Sequence, residues 1–163
     1  MNTTQILCTL KEVRSFLGVF PSDMLPRPVS QSGTVIVNAD PHTEKVSHWL
    51  AVHFLPNSSS AYFFESYGIV PLVPDIAAFI RRNSTVWDYN RKQLQGLTSS
   101  ICGKYCCLFA LFMDRWFTAK QFVGQFDGAT SADREIVRAF ASEFGSLRLD
   151  NGGGSGECSS SFL

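Results

Sequence analysis

Long apolar runs are missing from this sequence. The longest stretches are short, and "LFALFM" at 108–113 is broken by Asp114 and Arg115. No stretch of about 20 apolar residues is present to span a bilayer, so a membrane partner is not expected. The opening "MNTTQILCTLKEVRSF" lacks a basic segment followed by an apolar one, so no secretory signal is visible and the protein is expected not to be secreted. Surplus charge is missing too, with 14 basic against 14 acidic side chains. Nothing in that balance calls for a nucleic-acid partner, although a local basic patch would not show in the total. Repeated Cys or His pairs are absent. Cys102 and Cys106 stand four apart with Cys107 behind, and no second ligand pair lies near. A structural zinc site needs two such pairs, so no metal is expected. Histidine is scarce: His42, His48 and His53 are all there are.

What is there describes a folded globule. The chain has 163 residues, enough for one domain with a real core and hardly enough for two. It is 45% hydrophobic with fourteen Phe, which excludes a disordered chain. Five cysteines without a signal point to free thiols in a reducing compartment.

The spacing of Leu7, Leu10, Val13 and Leu17 predicts a helix over 7–18 that stops at Gly18. The proline-rich "VFPSDMLPRP" then reads as a loop. Strands are predicted over 33–40, 48–56 and 60–68, the last two joined through "PNSSS" as an antiparallel hairpin. A helix is predicted over 74–84, with Pro74 at its start and Ile76, Phe79 and Ile80 on one face. A strand over 85–95 follows, then a mostly apolar central helix over 103–117. A final amphipathic helix covers 131–144, with Ser131 as its cap. The Gly/Ser-rich stretch 150–163 reads as a flexible tail, which leaves 1–149 as the domain. The order implies an α+β fold with a small central sheet.

Three cysteines crowd into "SSICGKYCC". Cys106 and Cys107 fall inside the apolar helix and read as core thiols. Cys102 sits where a loop meets the helix, with Gly103 after it. Unpaired N–H groups and the positive end of the dipole there favour a thiolate, and the same N–H groups can hold an oxyanion. Many inert cysteines share that placement. A nucleophile also needs a base and the base an orienter. His42 lies in a turn and reads as exposed; His53 and His48 are assigned to one strand, on opposite faces. Glu65 lies inside the otherwise apolar "AYFFESYG", where a carboxylate is costly without a partner. His48 is the economical partner; the alternative is a Glu65 that faces solvent. Gln95, ahead of Cys102, is either a plain loop residue or an oxyanion donor.

Together these residues resemble the adenain family, the adenovirus-type cysteine endopeptidases. The family order His-Trp, Glu, Gln, Cys-Gly-x-x-Cys-Cys is met by His48-Trp49, Glu65, Gln95 and Cys102 onward. The spacings agree as well, 17 residues from His48 to Glu65 and 7 from Gln95 to Cys102. "VIVNAD" resembles the family's Ile-Val-Asn segment, and the likeness runs over about 15–145. "FLGVFPSDMLP" and "WDYNRKQLQ" look closer to proteases of Polinton/Maverick-type mobile elements and related viruses. The SUMO-specific proteases share the clan, but their acid is typically Asp and their Gln usually stands six before the Cys.

The resemblance implies a papain-like fold, with a mixed sheet and a buried central helix that starts at the nucleophile. It implies a thiol endopeptidase with catalytic Cys102, His48 and Glu65 and an oxyanion hole of Gln95 and the Cys102 N–H. Trp49 and Gly103 would border a narrow substrate cleft. Implied substrates are viral or mobile-element precursor proteins cut near Gly and other small residues. The implied setting is a monomer in the host nucleus or cytoplasm and in the particle. No cofactor is required by this chemistry. The adenovirus enzymes respond to an activating peptide and to DNA, but no cysteine lies between Glu65 and Cys102 where that peptide's disulfide partner falls. Two other functions stay open, a protease for ubiquitin-like proteins and a catalytically idle peptide-binding module. The tail's "DNGGGSG" also resembles a Gly-rich cleavage sequence, which raises self-trimming near Gly153 or Gly154 against a plain linker.

Overall fold

A computed structural model describes residues 1–45, 47–55, 59–126 and 129–145. Its centre is a five-stranded mixed sheet in which every strand neighbours the next in sequence. β1 (Phe16–Pro21) runs parallel to β2 (Gly33–Asn38). β2, β3 (Trp49–Phe54) and β4 (Ser60–Phe64) form an antiparallel meander. β5 (Val86–Tyr89) adds to β4 in parallel. The expected α+β class with a mixed sheet is what the chain adopts.

Strand alternation divides the core in two. Val35, Val37, Leu50, Val52, Phe54, Ala61 and Phe63 face α2 (Pro74–Asn83), which buries Ile76, Phe79 and Ile80 against them. That is the predicted face of the predicted helix. Ile36, Trp49, Ala51 and Phe64 point the other way, onto α3 (Cys102–Asp114). α1 (Thr3–Leu10), α4 (Ala119–Gln125) and α5 (Ala129–Phe144) complete that layer. A sheet covered on both faces carries apolar residues at successive positions, and β2 and β3 are buried throughout. α3 is buried nearly all round, as a helix without a polar face must be. Phe64 and Phe109 stack with centroids 4.7 Å apart, and Phe122 meets both edge-on at 5.4 and 5.5 Å.

Several boundaries differ from expectation. The first helix occupies Thr3–Leu10, not 7–18. A capping box between Asn2 and Gln5 starts it early. Leu17 and Gly18 belong to β1, whose register shifts between Phe16 and Gly18. Gly18 has φ +132°, a conformation that admits glycine within a strand. The predicted loop over 19–28 therefore begins as strand and continues through a short 3-10 turn, Ser22–Met24. β5 stops at Tyr89, well short of residue 95. Asn90 clamps both main-chain groups of Glu65, and Leu94 and Gln95 both donate to Ser66 O, so the chain turns away from the ladder. α3 ends at Asp114, ahead of Trp116 at φ +66°. α4 was not anticipated; a second capping box, Thr118 with Gln121, sets it. Ser131 lies inside α5 and does not cap it. The tail over 150–163, the trimming site at Gly153 and Gly154, and most of the "PNSSS" turn lie outside the described residues. No described helix is long and apolar enough to cross a membrane.

Candidate active site

The hairpin positions two of the site's side chains. His48 immediately precedes β3 and Glu65 immediately follows β4, so the antiparallel pairing brings both to one end of the sheet. His48 Nε2 and Glu65 Oε1 lie 2.6 Å apart. Glu65 is 4% exposed, and its other oxygen accepts from the N–H groups of Tyr67 at 2.9 Å and Ile69 at 3.0 Å. A buried carboxylate with both oxygens occupied is the arrangement such a group needs. The solvent-facing alternative for Glu65 is excluded by these contacts.

With Nε2 engaged, the other ring nitrogen of His48 is left for Cys102, the first residue of α3. Three groups converge on the Cys102 sulfur: the His48 ring and the main-chain N–H groups of Trp49 and Gly103. Burial is the largest single influence on the thiol and raises its pKa. Hydrogen bonds from His48, Trp49 and Gly103 and the charge of His48 together reverse this, and the thiol is held below its ordinary value. Burial likewise pushes the His48 imidazole down, but hydrogen bonds to Cys102 and Glu65 outweigh it and carry the pKa up to about 9. Opposite shifts on adjacent groups favour a thiolate beside an imidazolium. Cys106 and Cys107 behave otherwise: fully buried in α3, both thiols are pushed up by desolvation.

His48 and Cys102 line a cavity of about 300 Å³ together with Trp49, Gln95, Tyr67 and Met1. Gln95 is 1% exposed and fully bonded. Its Oε1 accepts from Ser66 Oγ at 2.7 Å, and its Nε2 donates to Ser99 O at 2.7 Å and to Tyr67 Oη at 3.2 Å. Trp49 forms a wall, with its indole N–H donating to Met1 O at 2.9 Å. Gly103 lies beneath that wall and not on the cavity surface. A Cβ there would come within 3.1 Å of Met1 and 3.2 Å of Trp49.

The structure brings together His48, Glu65, Gln95, Cys102 and Trp49. It separates the other two histidines from them. His53 is buried on β3, with Nδ1 2.9 Å from Thr34 Oγ1. His42 pairs at the surface with Asp23 at 2.6 Å. Sequence reasoning missed Tyr67, stacked on His48 with centroids 5.2 Å apart, and the Asn90 clamp. It also missed Met1, since nothing in a single sequence ties residue 1 to Trp49. Among the described residues no group of three or more His, Cys, Asp and Glu side chains is placed to hold a metal ion.

This chain is similar to a protein named Protease from Bovine adenovirus 2. The two are 29% identical over 93 residues, which cover 50% of this chain and 45% of that protein. The similarity supports a relationship to proteases. Less than half of the relative's length is spanned. No protein-family model matches the chain.

Proposed function

We propose that this protein is a cysteine endopeptidase. The observation that carries the reading is the His48 ring held between Glu65 Oε1 and the Cys102 thiol, with that thiol at the start of α3. The similarity to an adenovirus protease adds a hydrolase of polypeptides as the class. In this reading the Cys102 thiolate attacks the scissile carbonyl carbon, and a C–S bond forms as the carbonyl π pair moves to oxygen. The Cys102 N–H is one of the unpaired donors at a helix start and meets that oxygen. Gln95 Nε2 joins it by exchanging its longer bond, the one to Tyr67 Oη. His48 gives its proton to the departing amine as the C–N bond breaks. Water, deprotonated by the same ring, then cleaves the thioester. Glu65 holds the ring's orientation throughout. None of these steps calls for a metal or organic cofactor.

The cavity is small, and Trp49 and Met1 border it, which favours substrates with small residues next to the cut. Viral or mobile-element precursor proteins are the substrates this reading names. A mixed-sequence peptide library incubated with the protein and with Cys102→Ala tests it. New termini should form only with the unaltered protein, with Gly and Ala enriched beside the cut. Cleavage that persists in Cys102→Ala sinks the assignment.

A further inference from the structure

A concave feature larger than this site lies elsewhere on the described residues. A cavity of about 800 Å³ opens at the other end of α3, about 18 Å along the helix axis from Cys102. Its size and lining match small-molecule sites, which are mostly apolar with a few polar groups that orient the ligand. Leu55, Met113, Phe117 and Ala119 supply apolar wall, and Trp116, 86% exposed, stands at the rim. Two polar rings reach it, the buried His53 from β3 and the half-buried Tyr62 from β4. Thr34 occupies His53 Nδ1, which leaves Nε2 as the nitrogen a ligand can meet. Burial keeps that imidazole neutral, with its pKa pushed down to about 4.

The charges around the mouth are unevenly paired. Asp114 accepts from the Ser15 N–H at 2.7 Å. Asp88 is paired with Arg91 at 2.8 Å and feels Lys120 as a second cation. Arg14 also lines the cavity, with no ion-pair partner among the described residues. Arg14 and Lys120 thus share the lining with Asp88 and Asp114, and both carboxylates are already engaged, one by Arg91 and the other by the Ser15 N–H. We infer that this cavity is a binding site for a small amphipathic anion, an apolar ring or chain that bears one carboxylate or sulfonate. The apolar body lies against Met113 and Phe117, and the anionic head lies toward Arg14 and Lys120. The site does not depend on the protease reading, since it shares no residue with the His48–Cys102 cavity.

Titration of the full chain with 8-anilinonaphthalene-1-sulfonate tests this, beside its uncharged analogue N-phenyl-1-naphthylamine. Saturable one-to-one binding of the sulfonate is expected, displaced by decanoate and weakened by added salt. The double variant Arg14→Glu, Lys120→Glu changes exposed side chains and should fold normally. It should weaken the sulfonate on the order of tenfold and leave the neutral analogue within a factor of two. Ala119→Trp, which fills the wall, should abolish both. Absence of saturable binding, or equal affinity of the sulfonate for the unaltered and charge-reversed proteins, overturns the inference. Tighter binding of the neutral analogue than of the sulfonate overturns it as well.

Discussion

The two ends of α3 are built on opposite principles. At its first residue, backbone N–H groups and an imidazole backed by a buried carboxylate meet one sulfur beside a cavity of about 300 Å³. Near its last, apolar and aromatic side chains line a space of about 800 Å³ together with Arg14, Asp88, Asp114 and Lys120. A helix dipole makes the first end suited to a thiolate. At the other end Trp116, in a left-handed conformation, breaks the helix off and exposes apolar surface. What separates them is the placement of hydrogen-bond partners, since both ends rest on the same buried aromatic cluster.

The sharpest way to break the contrast is at the first end. Iodoacetamide should alkylate Cys102 readily at pH 6–7, because its pKa is lowered. His48→Ala removes the strongest opponent of desolvation, and the rate at pH 7 should fall on the order of a hundredfold. Cys106 and Cys107 should stay unmodified in the folded protein. Mass spectrometry of the labelled peptides reads all three. The stability terms have opposite signs. His48, raised, stabilises fully below about pH 6.5 and loses this as pH rises through about 9. Cys102, lowered, stabilises above its unfolded value and loses this as pH falls through its folded one. A pH-independent alkylation rate would remove the ion pair from the account.

The middle of α3 serves both ends alike. Phe109→Ala deletes a ring that stacks on Phe64 and meets Phe122, and should cost about 3–5 kcal/mol. Urea denaturation measures this, and a loss below about 1 kcal/mol would mean that the cluster is not the shared support. The smallest effect is expected at Tyr105. Its buried hydroxyl reaches Asp133 Oδ1 at 2.9 Å and Leu94 O at 3.1 Å, and so ties α3 to α5 and to the Gln95 loop. Tyr105→Phe should cost about 1–2 kcal/mol while Cys102 alkylation stays within a factor of two. A large drop in alkylation would instead make Tyr105 part of the reactive end.

Central strands and helix faces were legible because burial on both faces makes Val35–Val37 a β-branched apolar run and imposes period 3.6 on Ile76, Phe79 and Ile80. Glu65 was legible for the opposite reason, as a charge where only a partner makes one tolerable. The first helix was misjudged because Val13 and Leu17 continue its spacing by coincidence, one on a turn and one on β1. The Asn2–Gln5 and Thr118–Gln121 boxes were visible as residue pairs and were passed over. Asn90, Tyr67 and Met1 were not legible at all. Their roles depend on chain segments that meet only in the fold, and the large cavity likewise exists only between elements distant in sequence.

The pairing of His48 with Glu65 across one hairpin has a consequence for time. That contact spans 17 residues and two adjacent strands, so it closes a shorter loop than either residue's contact with Cys102. Cys102 arrives from beyond α2, β5 and the Asn90 clamp, after longer loops have closed. The thiol therefore meets the His48 ring only when α3 docks. Before α3 docks, Cys102 lacks the groups that lower its pKa, so its alkylation rate reports the docking of α3.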